Sequence, residues 1–319
     1  MKPRATRMLR RPRLLIVGCG DVGLRVLKLL HPRWHVLAVT HSPARRALLR
    51  AAGATPLWAD LDDPASLSRL ARLADAVLHL APPTPHGGHD WRTAALLAAL
   101  ARGGGVQRVV YASTTGVYGD CGGERVHETR TVNPSTDRAC RRVDAELRVR
   151  TYARAGGARA TILRVPGIYA FDRDGGDPRE RVRRGAPTLA DADDVFTNHI
   201  HADDLARACA AALTRGPAMR AIHVSDDDAS KIGAYLDRIA DRCALPRVPR
   251  VTREQAQQHL SPLQMSFLGE SRRLDNTRMK RELRLVLRYP SVDVALQSLP
   301  APAMDAAAPA PGIRRLASA

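Results

Sequence analysis

The chain has 319 residues, 45% of them hydrophobic, and its formal net charge is +18 at pH 7. This length suits one large α/β domain with an appended lobe, or two domains of roughly 150 residues each. No stretch approaches the roughly 18 consecutive apolar residues that a membrane helix needs. The 50 Lys and Arg residues are spread over every predicted helix instead of forming one stripe, which argues against a specific nucleic-acid partner. The 5 cysteines are widely spaced, without a C-x-x-C pair or a secretory signal, so we expect a reducing, cytoplasmic location.

Short apolar runs alternate with helical patterns from residue 13 onward, and this alternation is typical of a doubly wound parallel sheet covered by helices. The predicted strands span residues 14–17, 35–40, 55–58, 76–80, 108–112 and 160–165. The predicted helices between them span residues 22–30, 43–52, 64–73, 91–101 and 135–155. Beyond residue 165 the alternation is less regular, with a helix near 202–213, a strand near 221–224 and a further helix from residue 230.

A glycine-rich turn connects the first predicted strand to the first predicted helix, where residues 18–23 read Gly-Cys-Gly-Asp-Val-Gly. Between a strand and a helix, this pattern is typical of a dinucleotide site. Gly18 permits a tight turn, Gly20 lets a pyrophosphate approach the backbone, and Gly23 lets the helix pack closely. Asp21 and Val22 begin this helix, whose amide end faces the phosphates. The alternative is a glycine-rich turn that binds no ligand.

The end of the second predicted strand favours the 2′-phosphorylated cofactor. NAD sites usually carry an Asp or Glu about 20 residues beyond the glycines, where it binds the ribose, but positions 22–59 hold no acidic residue. His41 and Ser42 stand there instead, and Arg45 and Arg46 follow on the next helix. A guanidinium can pair with a 2′-phosphate through bonds of about 1.5 to 3 kcal/mol each, so we expect NADP(H), with NAD(H) as the alternative. The two arginines can otherwise be solvated helix charges.

These patterns divide the chain into four parts. Residues 13–165 are predicted to form a Rossmann-type dinucleotide-binding domain, and residues 166–300 a smaller C-terminal substrate lobe that can share its sheet. Residues 1–12 are predicted to be a basic arm ahead of the first strand. Residues 301–319, rich in Ala and Pro, hold too few large apolar side chains to offset the entropy of ordering, which predicts a disordered tail.

Several further segments are distinctive in combination. They are the stretch 53–63 around Asp60, His-Leu-Ala at 79–81, Ala-Ser-Thr-Thr-Gly-Val-Tyr-Gly at 112–119, Arg-Val-Pro-Gly-Ile-Tyr at 164–169 and Ile-His-Ala-Asp-Asp-Leu-Ala at 200–206. With the glycine-rich turn, they resemble the extended short-chain dehydrogenases/reductases, also called the NAD-dependent epimerase/dehydratase family, from residue 18 to about residue 296. The resemblance implies cofactor contacts from Asp60, Leu61, Leu80, Ala81, Pro82, Pro166 and Gly167.

The resemblance also implies a Tyr-x-x-x-Lys dyad, in which the Tyr exchanges a proton while hydride moves to or from the nicotinamide. This sequence departs from that pattern, because Asp137 or Thr136 stands at the Tyr position and Arg141 at the Lys position. None of the 6 tyrosines has a Lys four residues later. The chain therefore looks like an atypical member of the family, in which Arg141 can hold the cofactor ribose or a substrate anion.

The catalytic candidates are Thr114, whose hydroxyl has a counterpart in the family, Tyr118 and Arg141. Tyr118 is the preferred proton donor, and Tyr169, His201 or water held by Thr114 are the alternatives. The predicted substrate pocket comprises Thr114, Tyr118, Tyr169, His201 and Arg272. The guanidinium of Arg272 can meet an anionic substrate there or lie solvated on the surface.

Two functions remain open. The first is an NADP(H)-dependent oxidoreductase, or an epimerase or reductase of sugar-nucleotide type, with a non-standard acid and base. The second is a catalytically silent NADP(H)-binding sensor or scaffold, which the missing dyad favours. In either case we expect a monomer or homodimer that binds a small molecule, anionic or sugar-nucleotide-like, without membrane contact. No metal is expected, since His86 and His89 share a loop without a third ligand in view.

Overall fold

The computed structural model describes residues 11–299. The predicted tail, residues 301–319, and all of the predicted basic arm before residue 11 lie outside the described residues. In chain order the strands are β1 (Arg13–Val17), β2 (His35–Thr40), β3 (Thr55–Trp58), β4 (Ala76–His79), β5 (Arg108–Thr114), β6 (Arg125–Val126), β7 (Arg159–Val165), β8 (Gly167–Tyr169), β9 (Thr188–Leu189), β10 (His199–His201), β11 (Arg220–His223), β12 (Arg250–Val251) and β13 (Arg273–Leu274).

The helices lie between these strands or follow them. They are α1 (Asp21–Leu30), α2 (Pro43–Ala51), α3 (Trp91–Gly103), α4 (Asp137–Gly156), α5 (Pro178–Arg183), α6 (Ala202–Arg215), α7 (Ile232–Arg242), α8 (Arg253–His259), α9 (Pro262–Leu268), α10 (Thr277–Glu282) and α11 (Val292–Gln297), with short 3₁₀ helices at Ser66–Leu70 and Thr115–Tyr118. Within residues 11–299, no helix has both the length and the apolar character needed to cross a membrane.

One parallel sheet organises the molecule, and its strand order is β11-β7-β5-β4-β1-β2-β3. Val17, at the end of β1, is in register with Val39 of β2 and His79 of β4, so the carboxyl ends of these strands lie along one edge. The chain proceeds from β1 toward β3 on one side and returns to β4 on the other. Ligands of doubly wound sheets bind outside the carboxyl ends at such a reversal. The predicted fold class is confirmed.

The sheet is buried on both faces because its strands are apolar at nearly every position. In β1, Leu14 and Ile16 join the core beneath α1 and α6, whereas Leu15 and Val17 join the core beneath α3 and α4. All four side chains are fully buried, and each such aliphatic side chain contributes about 1.5 to 3 kcal/mol when removed from water. This continuous apolar pattern is typical of parallel strands covered by helices on both sides.

The predicted strands occur to within two residues at either end. The predicted helix 64–73 is instead the short 3₁₀ helix Ser66–Leu70. Its backbone bonds span three residues, as from the amide of Ser66 to the carbonyl of Asp63. Arg72 has a φ of +62°, a left-handed conformation that prevents the helix from continuing.

The region after residue 165 contributes to two parts of the molecule. A lobe forms from the strand pairs β8–β10 and β9–β12 with α5, α7, α8 and α11, around a core that includes Val182, Leu189 and Ile239. Helix α6 packs instead against α1, and β11 pairs with β7 at the edge of the central sheet. The lobe therefore lies next to the carboxyl edge of the sheet, where β5 and β7 end.

Candidate active site

The glycine-rich turn after β1 has three glycines with distinct environments. Gly18 has a φ of +85°, and a Cβ there would lie 2.4 Å from the backbone nitrogen of Ala81, so only glycine fits where the turn passes the end of β4. A Cβ on Gly20 would meet nothing within 4 Å, which leaves this backbone open to a ligand. A Cβ on Gly23 would lie 3.1 Å from Cys19 Sγ. The turn is thus closed toward the sheet and open at Gly20.

Helix α1 begins directly behind this turn without a side-chain cap. Gly20 is its N-cap residue, and no side-chain hydrogen bond caps the helix. First-turn N–H groups have no acceptor within their own helix. Helix α1 therefore presents free donors and the positive end of its dipole at the place where the turn is open, an arrangement that fits a diphosphate.

The segment after β2 carries a guanidinium instead of a carboxylate. Ser42 is the N-cap residue of α2, and His41 is exposed. Arg45 reaches back from α2, and its Nη2 donates to the carbonyl oxygen of Cys19 at 2.6 Å. Arg46 is exposed and forms no ion pair with the described residues. The Arg45 guanidinium therefore lies beside the glycine-rich turn.

The loop after β3 carries the predicted Asp60 and Leu61. Asp60 Oδ1 accepts a hydrogen bond from the amide of Asp62 at 3.0 Å, and Leu61 packs against the core beneath α3 and α4. Asp62 pairs with Arg92, whose hydrogen bonds hold the pKa of that carboxyl below its ordinary value. Asp60 thus shapes a turn at the carboxyl edge, two strands away from the glycine-rich turn.

The segment after β4 lies directly against the glycine-rich turn. The amide of Leu80 donates to the carbonyl of Val17 at 2.8 Å, which extends the pairing of β4 with β1 by one residue. Ala81 is buried against Gly18, and Pro82 is exposed. The two segments form one continuous floor at the point where the strand order reverses.

A cavity of about 570 Å³ lies beside this floor, between the ends of β5 and β7 and the lobe. Its size is typical of a small-molecule site. Thr114, Pro166 and Gly167 line its sheet side. Its charged residues are the arginines 138, 173, 181, 184 and 272 and the acids Asp177, Glu180 and Glu270. The excess of guanidinium groups favours an anionic ligand.

Thr114 and Glu270 share the sheet side of the cavity. Thr114 Oγ1 accepts a hydrogen bond from the amide of Gly116 at 3.3 Å. A Cβ added at Gly116 would lie 3.7 Å from Thr114 Oγ1 and 3.9 Å from Glu270 Oε2, so the carboxylate faces the Thr114 loop. Ser135 Oγ donates to Glu270 Oε1 at 3.1 Å, and Arg272 Nη1 donates to Oε2 at 2.8 Å. The predicted Arg272 thus lines the cavity with a carboxylate partner.

Tyr118 does not face the cavity, which corrects its prediction as proton donor and pocket residue. Its hydroxyl contacts His223 Nε2 and Arg164 Nη1, each at 2.6 Å. Burial raises the pKa of Tyr118 to about 12 and lowers the pKa of His223 to about 3. Since His223 Nδ1 lies 2.9 Å from the carbonyl of Asp275, Nδ1 donates there and Nε2 accepts from the phenol. The 3₁₀ helix after Thr114 turns this side chain toward β7 and β11.

The residues at the missing dyad are also placed away from the cavity. Thr136 is the N-cap residue of α4, and Asp137 is exposed. Arg141 is buried, and its Nη1 donates to the carbonyl of Gly87 at 2.5 Å. Arg141 therefore joins α4 to the loop after β4, and it does not line the cavity that Thr114 lines.

The other two predicted pocket residues differ in placement. Tyr169 lines the cavity, and its buried hydroxyl has no hydrogen-bond partner among the described residues. His201 Nδ1 accepts from the amide of Asp203 at 3.2 Å and so caps α6. The His201 ring lies 3.9 Å from the ring centre of Tyr289, and burial lowers its pKa. His201 therefore acts in the fold as a cap beneath the cavity wall, which corrects its prediction as a pocket residue.

The cavity residues that reasoning from the sequence missed include Arg138, Arg181, Tyr235 and Glu270. The Arg138 guanidinium lies 4.6 Å from the ring centre of Phe267, and burial lowers its pKa. Its position three residues before Arg141 was the available signal, because both lie on α4. The other three come from lobe segments without a recognisable motif.

The molecule is a Rossmann-type protein with a lobe over the carboxyl edge of its sheet. Three features define it: a parallel sheet whose strand order reverses between β1 and β4, the open glycine-rich turn and the adjoining cavity. Residues 14–225 match the model of the NAD dependent epimerase/dehydratase family. The chain belongs to this family. None of the curated proteins matches the sequence.

Solved structures show the same fold over most of the chain. A functionally unknown conserved protein from Silicibacter pomeroyi is 28% identical, with a TM-score of 0.75 over 90% of this chain and 97% of its own. UDP-glucose 4-epimerase from Thermotoga maritima, determined with UDP-glucose, is 18% identical, with a TM-score of 0.71 over 89% and 96%. UDP-glucuronic acid 4-epimerase from Bacillus cereus, determined with NAD, is 16% identical, with a TM-score of 0.71 over 89% and 96%.

Proposed function

We propose that this chain binds NADP(H) across the glycine-rich turn and transfers hydride between the nicotinamide and a small anionic substrate in the cavity. The observation that carries this proposal is the uncapped amide end of α1 at Gly20, on the same sheet edge as the cavity that Thr114 lines. The Bacillus cereus relative was determined with NAD, which supports the class of cofactor. The bound nicotinamide supplies the hydride acceptor or donor.

The preference for NADP(H) rests on Arg45. Its guanidinium lies beside the turn, 2.6 Å from the carbonyl of Cys19, and no carboxylate follows β2 to accept hydrogen bonds from the ribose. A 2′-phosphate in this position would gain one or two charge-assisted bonds, each of about 1.5 to 3 kcal/mol. The expected preference over NAD is therefore tenfold or more.

The acid and base of the reaction differ from the usual dyad. We propose that the Thr114 hydroxyl holds the substrate oxygen and that the Glu270 carboxylate, which faces the same loop, exchanges the proton. In the oxidative direction, hydride leaves the carbon that carries the substrate hydroxyl, the O–H proton moves to Glu270, and a carbonyl forms. Arg272 and Ser135 hold the carboxylate in position through the bonds described above.

The substrate class follows from charge and volume. The cavity is large enough for a sugar phosphate or a sugar nucleotide. Arg138 has no carboxylate oxygen within 4 Å among residues 11–299, and Glu270 acts on it from a longer distance, so we propose that its guanidinium meets the anionic group of the ligand. The Thermotoga maritima relative was determined with UDP-glucose, which favours a sugar nucleotide as the first class to test.

A second function, an NADP(H)-binding sensor without turnover, is favoured by one observation. Arg141 stands where the dyad has Lys, yet it donates to Gly87 in the loop after β4, so α4 offers no dyad to the cavity. The two functions are separated by following NADPH absorbance with a panel of carbonyl compounds and sugar nucleotides. Turnover with any member supports the enzyme. Binding of NADPH without turnover across the panel supports the sensor.

A further inference from the structure

Five charged side chains meet at the first turn of α1, beside the open end of the glycine-rich turn. They are called the α1 ion-pair group: Asp21 and Arg25 from α1, Asp172 and Arg173 from the loop after β8, and Asp203 from α6. Arg25 Nε donates to Asp21 Oδ1 at 3.0 Å, and Arg173 Nη1 donates to Asp21 Oδ2 at 3.1 Å. The Asp21 carboxylate is therefore held by one guanidinium from its own helix and by one from the loop after β8.

Arg25 is shared among three carboxylates. Besides its bond to Asp21, its Nη1 donates to Asp203 Oδ1 at 2.5 Å and its Nη2 donates to Asp172 Oδ1 at 2.6 Å. The Arg25 side chain is only 14% exposed, so these bonds fix its position. Three carboxylates against two guanidiniums leave the α1 ion-pair group with a net charge of −1. The group therefore does not fully neutralise Asp21.

Asp21 places a negative charge where a diphosphate is expected to bind. It is the first residue of α1 and directly follows Gly20, the N-cap residue whose surroundings are open. A carboxylate in the first turn of a helix is stabilised by the helix dipole. The same amide end attracts a diphosphate, and two anions at one helix end repel each other. Asp21 therefore stabilises α1 without a ligand and opposes the binding of an anionic one.

Arg173 is the guanidinium for which Asp21 and a diphosphate would compete. Within residues 11–299, Asp21 supplies a carboxylate oxygen within 4 Å of Arg173, and no other Asp or Glu does. If Arg173 turns to a phosphate oxygen, Asp21 keeps its bond to Arg25. Removing one partner is costly mainly when it leaves a polar group unpaired, and this exchange leaves none unpaired. Arg173 can therefore pass from one anion to the other at low cost.

We infer that Asp21 is an internal competitor of the cofactor's diphosphate, and that Arg173 exchanges one anion for the other when NADP(H) binds or leaves. Arg25 is a positioning residue that holds the Asp21 carboxylate on α1 during this exchange. The inference rests on the proposed function in taking the ligand of the glycine-rich turn to be NADP(H). It adds that the cofactor is bound weakly enough to leave after each turnover, which net oxidation or reduction of a substrate requires.

Calorimetric titration of full-length variants at constant ionic strength tests this inference. The ligands are NADP and ADP-ribose, which share the diphosphate, and adenosine 2′-phosphate, which lacks it. Asp21→Asn removes the competing charge. Asp203→Asn is the matched control, because it removes the same charge from the α1 ion-pair group but pairs with Arg25 and not with Arg173.

Asp21→Asn should bind NADP and ADP-ribose about fivefold more tightly than the unmodified protein, because one repulsive charge is removed and Arg173 is released. Its affinity for adenosine 2′-phosphate should be unchanged. Asp203→Asn should bind all three ligands within about twofold of the unmodified protein. Equal or weaker binding of ADP-ribose by Asp21→Asn overturns the inference. An equal gain in Asp203→Asn also overturns it, because net charge would then explain the effect without competition for Arg173.

A double variant tests the part played by Arg25. Arg25→Gln should weaken the binding of ADP-ribose, because Asp21 then depends on Arg173 alone and holds it away from the diphosphate. Adding Asp21→Asn to Arg25→Gln should restore the affinity at least to that of the unmodified protein, which damage to the fold would not allow. A double variant as weak as Arg25→Gln would give Arg25 a structural role and contradict its role as a positioning residue.

The rate of cofactor release is a further readout. NADPH fluorescence in a stopped-flow instrument should show slower release from Asp21→Asn than from the unmodified protein, because affinity differences between variants lie mostly in dissociation rates. Equal release rates would contradict the link between Asp21 and cofactor exchange.

The binding experiment separates failure of this inference from failure of the proposed function. If the unmodified protein binds NADP and Asp21→Asn shows no gain, the inference alone is wrong. Binding by Asp21→Asn but not by the unmodified protein supports both. If neither protein binds a pyridine nucleotide, the proposed function is wrong and the inference fails with it.

Discussion

Arg173 Nη1 donates a hydrogen bond to Asp21 Oδ2 across 3.1 Å, which joins the loop after β8 to the first turn of α1. Arg173 also lines the cavity, and Asp21 directly follows Gly20, where the turn is open. The Arg173 side chain packs over Gly176, where a Cβ would lie 2.5 Å from its Nε. One guanidinium thus lies between the expected diphosphate and the substrate cavity.

Arg173→Gln should weaken NADP binding about tenfold, because a bound diphosphate would compete with Asp21 for this guanidinium through charge-assisted bonds. The affinity for ADP-ribose, which carries the diphosphate without the nicotinamide, should fall by the same factor. Calorimetric titration checks both ligands. The matched control is Arg179→Gln, whose partner Asp177 belongs to the same region of the lobe. Equal affinities for Arg173→Gln and the unmodified protein would show that Arg173 does not reach the cofactor.

Glu270→Gln should lower kcat by roughly a hundredfold or more on any substrate that the NADPH panel identifies, because it removes the proton-exchanging group. Its affinity for NADP should be unchanged, because the proposed role of Glu270 is proton exchange with the substrate and not binding of the cofactor. Glu180→Gln removes another cavity carboxylate and should leave kcat within about twofold. Similar rates for the two variants would remove Glu270 from the mechanism.

Tyr118→Phe should destabilise the protein by about 1 to 3 kcal/mol, because it leaves the buried Nε2 of His223 without a hydrogen-bond partner and removes one partner of Arg164, which keeps its ion pair with Glu146. Urea unfolding at pH 7 measures this loss. Turnover and cofactor affinity should be retained, since the phenol does not reach the cavity. A fully stable variant that had lost turnover would restore Tyr118 as the proton donor.

Stability should fall as the pH drops below 6.5, partly because His79 is buried and neutral. Burial lowers its pKa to about 3, so between pH 6.5 and pH 3 the unfolded chain binds a proton that the folded chain does not. The stability present above pH 6.5 is therefore lost progressively, by about 2 kcal/mol for this residue at pH 5.

His79→Phe keeps the ring beside Tyr111 and removes the titrating group. The free energy of unfolding is measured with urea at pH 7 and at pH 5. Its decrease between these two pH values should be about 2 kcal/mol smaller in this variant than in the unmodified protein. Comparison of the two proteins cancels the other titrating groups, including Asp226, whose raised pKa acts in the opposite direction. Identical losses in both proteins would show that His79 titrates normally.

The sheet and the glycine-rich turn were predictable because their signals are local. Residues 14–17 are apolar on both faces, and Gly18 and Gly20 sit between a strand and a helix, so neighbouring residues alone define the structure. The position of Arg45 near the turn was predictable for a similar reason, since it lies in the first turn of α2, which is separated from the end of β2 by two residues. The family resemblance predicted which residues follow the ends of the strands along the carboxyl edge of the sheet.

The cavity was less predictable because its walls come from distant segments. Tyr118 lies in a family motif, but its direction is decided by His223, 105 residues away, and no local pattern contains that contact. Glu270 and Arg181 lie in lobe segments where short elements follow one another without periodicity. Their places on the cavity wall depend on how these segments pack against the sheet, and only the assembled structure contains that information.

Calorimetric titration of the full-length protein and of Arg45→Gln, with NADP and with NAD, tests whether the glycine-rich turn binds a dinucleotide and whether Arg45 selects the 2′-phosphate. We expect that both nucleotides bind, that NADP binds at least tenfold more tightly, and that Arg45→Gln abolishes this difference while leaving NAD affinity unchanged. Absence of binding by either nucleotide would contradict the assignment of the glycine-rich turn. Tighter binding of NAD than of NADP would contradict the role given to Arg45.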